Sequence, residues 1–266
     1  MAKTAAAKAG SGEPEMNEQL ERLLFEARAA IQDLRLAASL MRVASDGTGS
    51  IFYRDSVVHA ALPWADVDHF QSRLLSRRTP EDELILTQLI DLIPSLAGRT
   101  LVDVGSFTGT TAFILRAFLA PNATHLFEPQ AVMAEALQAA VEKNAKTGGP
   151  ITLHRDILDE EGQEIEIGAN TPVRLWQTRY LRREGGALKA RALDSFDLGT
   201  VGLINVDFVN DKVPFLRGAM QTIERDRPVI VVDLSARDID EVRAELSPRD
   251  YQDVRAGRNS MIFLPS

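Results

Sequence analysis

The chain has 266 residues, 38 acidic and 30 basic, for a net charge of −8, and 45% of it is hydrophobic. That length supports one sizeable α/β domain with appendages, and the acidic balance argues against a nucleic-acid partner. The absence of cysteine excludes disulfides, thiolate nucleophiles and Cys-ligated zinc. No apolar run reaches the ~20 residues of a membrane span, and residues 1–15 lack the apolar core of a secretory signal. These features point to a cytoplasmic protein without a membrane partner.

Residues 1–15 are small and polar, the composition of a disordered tail. A helix is predicted from Met16 to Met41. Its apolar positions Leu20, Leu24, Ala27, Ile31, Leu34, Ala38 and Met41 alternate steps of four and three, a heptad seam. Such a seam serves either a homodimer or the chain's own core. The two alanines weaken it as an isolated coiled coil and favour the core. After the turn at Ser45–Ser50, short strands are predicted near 50–53 and 57–62 and a helix near 65–75. Thr79-Pro80-Glu81-Asp82 reads as a helix start, with Thr as N-cap and Pro at the first helical position. That helix should end before Gly98, and residues 16–80 together read as an N-terminal extension or cap.

From Arg99 the pattern alternates. Strands are predicted at 100–104, 124–128, 151–155, 201–207, 229–234, 250–254 and 260–264, and helices at 109–119, 130–145, 213–225 and 237–246. Alternation of this kind predicts a doubly wound, mostly parallel, seven-stranded Rossmann-like sheet covered on both faces. The last two strands are close enough to pair as an antiparallel hairpin. Residues 157–192 break the rhythm and read as a β-rich insertion with short runs at 164–167 and 172–176. The insertion carries a basic run from Arg174 to Arg191, together with Trp176 and Tyr180. These aromatics either stack on a sugar or aromatic ligand or anchor the insertion.

The segment Leu101-Val102-Asp103-Val104-Gly105-Ser106-Phe107-Thr108-Gly109 carries the most information. A strand runs into Asp-x-Gly-x-x-x-Gly and then a helix. About 20 residues beyond Gly109, a second strand ends in Phe127-Glu128-Pro129, the spacing of a nucleoside-cofactor site. Glycines at 105 and 109 allow close backbone approach. Asp103 can hold the turn or face the ammonium of a cofactor's amino-acid part. Glu128 can accept ribose hydroxyls, and Asp156, ending the third strand, can reach an adenine amino group. The turn is not Gly-x-Gly-x-x-Gly, so the pattern points to S-adenosylmethionine rather than a dinucleotide.

From about Glu81 onward the sequence resembles the FkbM-type methyltransferase family. Val102–Gly109 is similar to the family's V-D-V-G-A-x-x-G, which places Ser106 in the cofactor turn, and Phe127-Glu128-Pro129 is similar to its F-E-P. Asn144 matches an Asn that ends the following helix. Ala192–Phe196, Leu216–Ala219, Arg227–Ile230 and Asn259–Pro265 resemble its later motifs. The resemblance implies S-adenosylmethionine as cofactor and O-methylation of a hydroxyl on a sugar, polyketide or similar metabolite, hence a small-molecule or glycan acceptor. It breaks after the fourth strand. Where the family has K-x-D-x-E-G-x-E, this chain reads Asn205-Val206-Asp207-Phe208-Val209-Asn210-Asp211-Lys212. Asp207 is kept, and Asp211 can substitute for a missing carboxylate, so these two are the candidate catalytic residues. Asp207, Asn210, Asp211 and Asp233 together can also be read as oxygen ligands for a divalent cation, but their spacing is not specific and no metal is expected. His59 and His69 are further candidate bases, whereas His125 lies within a strand and reads as structural. The altered stretch also motivates a rival reading, a catalytically silent relative with a binding or scaffolding role.

Overall fold

Every residue of Thr100–Val104 and of Val201–Val206 is buried, which requires a sheet covered on both faces. The computed structural model describes residues 12–40, 43–146, 148–168, 172–207, 212–233, 238–257 and 260–266. In chain order the elements are α1 (Gly12–Leu40), β1 (Thr48–Tyr53), β2 (Ser56–Ala61), α2 (His69–Arg77), α3 (Glu83–Leu92), β3 (Thr100–Val104), α4 (Thr110–Leu119), β4 (Ala123–Phe127), α5 (Ala131–Asn144) and β5 (Ile151–His154). They continue with β6 (Glu164–Ile167), β7 (Tyr180–Arg182), β8 (Leu188–Lys189), β9 (Val201–Val206), α6 (Val213–Gly218), α7 (Met220–Asp226), β10 (Val229–Asp233), α8 (Asp238–Leu246), β11 (Tyr251–Ala256) and β12 (Ser260–Pro265).

The main sheet has seven strands in the order β11-β12-β10-β9-β3-β4-β5. β10, β9, β3, β4 and β5 pair in parallel, and β12 runs antiparallel between β10 and β11. This is the doubly wound fold expected, with the C-terminal hairpin in place. Alternation along each strand divides the apolar residues between two cores. Leu101 and Leu203 join one core with Phe113, Leu115 and Leu137. Val102, Val104, Ile204 and Val206 join the other with Phe215, Leu216 and Ile223. Strand order reverses between β3 and β9, so a crevice opens at the carboxyl ends of those two strands.

Several local expectations differ from what forms. Residues 172–177 make a 3-10 turn rather than a strand. Pro172 restricts φ at its start, and strand pairing in the insertion goes instead to β7-β6-β8. The helix expected from Thr79 begins at Glu83 with Asp82 as N-cap. The helix expected over 213–225 is two short helices, broken at Ala219. The β1–β2 hairpin does not roof the crevice as a cap. It packs on α4 and α5, and Asn144 binds it like a strand neighbour, accepting from the His59 N–H at 3.1 Å and donating to the His59 carbonyl at 2.7 Å.

The largest departure is α1. Its seam was expected to lie on the core, yet Leu20 is 54%, Phe25 74% and Leu34 70% exposed. Every α1 residue whose side chain is described is exposed. The helix touches the body at α2. Among the described residues no helix is long and apolar enough to cross a membrane.

Candidate active site

β3 delivers the chain into a tight turn. Gly105 has φ +80°, Phe107 +46° and Gly109 +74°, and Gly109 is the N-cap of α4. The Gly105 and Ser106 N–H groups both donate to the Phe127 carbonyl, at 3.0 and 3.1 Å, so the turn is tied to the end of β4. A Cβ at Gly109 would lie 2.5 Å from Phe113 Cε2 and 2.7 Å from Leu137 Cδ1. Glycine is therefore required there by both dihedral and space. Thr108 accepts the Ala61 N–H at 2.9 Å, which fixes the N-terminal hairpin to the same turn.

Glu128 clamps the turn from the other side. Its Oε2 accepts the Phe107 N–H and its Oε1 the Gln130 N–H, each at 2.8 Å. The first bond holds Phe107 in a left-handed conformation that an L residue adopts at a cost of about 1–3 kcal/mol. Glu128 is 2% exposed. Burial pushes its carboxyl up to about 7, against the pull of those two backbone N–H groups. A carboxylate has about four acceptor positions, so acceptor capacity is left beyond these two bonds.

Two cavities meet at this turn. One, of about 500 Å³, is lined by Gly105, Phe127, Pro129, Asp156, Ile157 and Tyr180 among others. The other, of about 110 Å³, is lined by Ser106, Phe107, Thr108, Glu128, Gln130 and Asp207, with Phe70 and Trp176. Gly105, Pro129 and Tyr180 border both. Of the six candidate cofactor residues, Gly105, Ser106, Glu128 and Asp156 therefore line these cavities, and Asp156 also lies 3.6 Å from Arg191. Gly109 acts from below, as the start of α4. Asp103 lines neither cavity. It is 2% exposed, and its Oδ1 accepts from Asn205 Nδ2 at 2.7 Å. β3 and β9 are in register at these two residues, which makes them neighbours on one sheet face. Burial raises the Asp103 pKa, and the Asn205 bond works against that rise.

On the acceptor side, Asp207 follows β9, and its own N–H donates to the Val104 carbonyl at 2.9 Å. Its side chain is open to solvent along the crevice while protein walls it on the remaining sides. Desolvation pushes the carboxyl up to about 7, reinforced by the charges of Asp233, Asp82 and Asp103 and relieved by Lys212. Among the described residues nothing donates to this carboxylate. Asp82, at the start of α3, and Asp233, at the end of β10, line the same small recess as Asp207, and burial raises both. The sequence marked Asp82 only as a helix-start acid. Nothing in the pattern shows that it meets a residue so distant in the chain. Asp211, the second catalytic candidate, and Asn210 lie outside the described residues. Among the described residues no three histidines or acids are placed to hold a metal ion.

The insertion closes the side of the cavities. Asp68 accepts the Gln71 N–H and, across the chain, the Leu175 N–H, each at 2.9 Å. Thr178 Oγ1 lies 2.9 Å from Gln130 Oε1, so the 3-10 turn is pinned to the starts of both α2 and α5. Trp176 packs on Phe70 with ring centroids 6.4 Å apart, and Phe70 packs edge-on to Phe107 at 5.6 Å. Part of the basic run is paired: Arg182 with Asp159 and Glu160, Arg183 with Glu166, and Arg191 with Asp156. His59 and His69 line neither cavity. His125 and His154 stack at 5.2 Å beside Phe127 and Phe196, and burial lowers the His125 pKa to about 4.

No protein-family model matches the chain, and no curated protein matches its sequence. Among solved structures, it is similar to methyltransferase FkbM from Methylobacillus flagellatus KT, at 14% identity and a TM-score of 0.48, over 89% of this chain and 60% of that one. It is similar to M. jannaschii TYW2 in complex with AdoMet at 10% identity and a TM-score of 0.44, over 83% of this chain and 84% of that one. A third is the precorrin-6y C5,15-methyltransferase from Geobacter metallireducens GS-15, at 9% identity and a TM-score of 0.42, over 70% of this chain and 90% of that one. The chain thus spans 60% of the length of the first of these. Likenesses this distant assign no activity, which has to come from the site's own residues.

Proposed function

We propose that this chain is an S-adenosylmethionine-dependent methyltransferase that modifies a hydroxyl of a small metabolite, with a sugar or polyketide as the acceptor class the sequence resemblance favours. One observation carries the reading. Glu128, which ends β4, fastens the glycine turn that follows β3 and keeps spare acceptor capacity beside a cavity at the strand-order reversal. A dinucleotide site needs the pyrophosphate cradled by a different glycine spacing. The residues present fit a nucleoside with an amino-acid tail. Gly105 and Ser106 offer a close backbone approach, Glu128 accepts ribose hydroxyls, and Asp156 borders the larger cavity as an acceptor for an adenine amino group.

When bound, the cofactor supplies an electrophilic methyl on a sulfonium. The chain's contribution is positioning, which removes much of the entropic barrier to such a displacement, together with a base for the acceptor proton. Asp207 is the candidate base. It opens on the crevice, accepts from no donor among the described residues, and is pushed by desolvation up to about 7, where a general base works best. Phe70, Phe107 and Trp176 form an apolar wall that excludes water from the same space.

A second reading, a silent cofactor-binding protein, is motivated by Asn205. Where the resembled family has lysine, this side chain is committed to Asp103. Calorimetry with S-adenosylhomocysteine tests the cofactor reading first. We expect binding that falls at least ~10-fold in Glu128→Ala. Absence of binding in the wild type defeats both cofactor readings. Transfer of a labelled methyl group to metabolites in an extract, lost in Asp207→Asn, supports the enzyme. Binding without transfer supports the silent reading.

A further inference from the structure

The exposed face of α1 has no partner within the described chain, and its chemistry specifies one. We propose that α1 pairs with α1 of a second copy in antiparallel orientation. The helix is 29 residues long, or about 43 Å at 1.5 Å per residue. It projects Leu20, Leu23, Leu24, Phe25, Ile31 and Leu34 into solvent. Among the described residues its main contact is with α2, and these side chains stay exposed. A lone helix gains little stability in water and needs its apolar face buried.

Charge argues for a copy of itself. The first half of α1 carries Glu13, Glu15, Glu18, Glu21 and Glu26 against Arg22, and the second half Arg28 and Arg35 against Asp33. An antiparallel copy sets the acidic half of each helix against the basic half of the other. A parallel copy sets like against like.

The seam argues for the same direction. If Leu24 meets Leu34 of the copy, then Ala27 meets Ile31 and Leu20 meets Ala38. Each remaining layer then opposes a large residue to a small one. On the flank, Leu23 meets Ala37, and Glu21 meets Arg35 at two places while Arg28 meets its own copy at one. A parallel pair instead stacks Ala27 on Ala27 and Ala38 on Ala38, which leaves gaps that cost stability. Antiparallel pairing also carries the two bodies, which begin after residue 42, to opposite ends of the rod about 40 Å apart. No further surface has to match.

The full-length chain is measured by sedimentation equilibrium, since its mass is 29.3 kDa. We expect a concentration-dependent dimer. The double variant Leu24→Glu with Ile31→Glu should weaken it at least ~100-fold, without loss of the body's fold, because both residues are exposed in the single chain. Orientation is read by oxidation of single-cysteine variants, which are clean because the chain has no cysteine of its own. Ala30→Cys lies next to the two-fold axis of the antiparallel pair and should cross-link to its copy, whereas Leu24→Cys should not. A wild type that stays at the mass of one chain at about 100 μM, in the range where weak specific dimers form, overturns the pairing. Cross-linking by Leu24→Cys without Ala30→Cys overturns the orientation.

Discussion

The two ends of the crevice use carboxylates in opposite ways. At β3 and β4, Asp103 and Glu128 are 2% exposed, and each accepts hydrogen bonds from groups that it thereby holds in place. At β9 and β10, Asp207 stands with Asp82 and Asp233 around a shared recess; burial raises all three, and neighbouring carboxylates reinforce the rise at Asp207 and Asp82. Carboxylates that accept backbone and amide N–H groups fix a shape, while a desolvated and crowded one such as Asp207 holds a proton poised. The first end therefore resists change through packing and the second through electrostatics. Substitutions at the two should separate binding and stability from turnover.

The largest effect is expected where packing leaves no room. Gly109→Val places side-chain atoms on Phe113 and Leu137 at a backbone φ of +74°. Strain and overpacking together should cost about 2–4 kcal/mol, read by urea denaturation, and should abolish S-adenosylhomocysteine binding. A variant of wild-type stability that still binds would show that the turn is not rigid, and would remove the contrast at its first end.

At the second end, Asp207→Asn is isosteric and removes only the charge. We expect methyl transfer to fall about 10²- to 10⁴-fold, the usual range for loss of a general base, with S-adenosylhomocysteine affinity changed by less than ~3-fold, a shift below 1 kcal/mol. An equal loss of binding would place Asp207 with the cofactor rather than with the acceptor.

A smaller effect follows from protonation of Glu128. Ribose hydroxyls donate to its ionised form, and that form gains population as pH rises through about 7. S-adenosylhomocysteine affinity should therefore rise by up to about tenfold in total from pH 6 to pH 8, the most that a single linked proton titrating near 7 allows, and the slope should vanish in Glu128→Gln. A pH-independent wild type would show that the carboxylate accepts nothing from the ligand.

The sheet was legible because strands buried on both faces are mostly apolar, as Leu101, Val102 and Val104 and Val201, Leu203, Ile204 and Val206 are. The turn was legible because its dihedrals admit few residues other than glycine. The acceptor side was far less so. Asp82, Asp207 and Asp233 come from three separate elements, and carboxylates leave no periodic trace when tertiary packing brings them together. Asn144 matched a motif position, yet its work on the backbone of His59 depends on a hairpin that local pattern does not place. The heptad of α1 was plain in sequence, but periodicity reports a seam and not what covers it.

The least effect expected, and the one that most directly distinguishes the two ends, is the pH dependence of stability. Asp207 has a native pKa raised from 3.8 to about 7. Between those values the folded chain binds a proton that the unfolded chain has released. Stability therefore falls as pH rises through this window, and the full penalty is present above about 7. Asp207→Asn removes the penalty, so its melting temperature should exceed that of the wild type at pH 8, with the gap closing as pH falls toward 4. Glu128 has the same sign, rising from 4.5 to about 7, so a shallower slope should persist in the Asn variant. Asp46 has the opposite sign. Its bond to Lys143 lowers it from 3.8 to about 2, so the stability it contributes is lost only as pH falls below about 4. Thermal melts from pH 3 to pH 8 separate the two windows. If Asp207→Asn and wild type melt alike at pH 8, solvent in the crevice screens the cluster, and the poise attributed to Asp207 is lost.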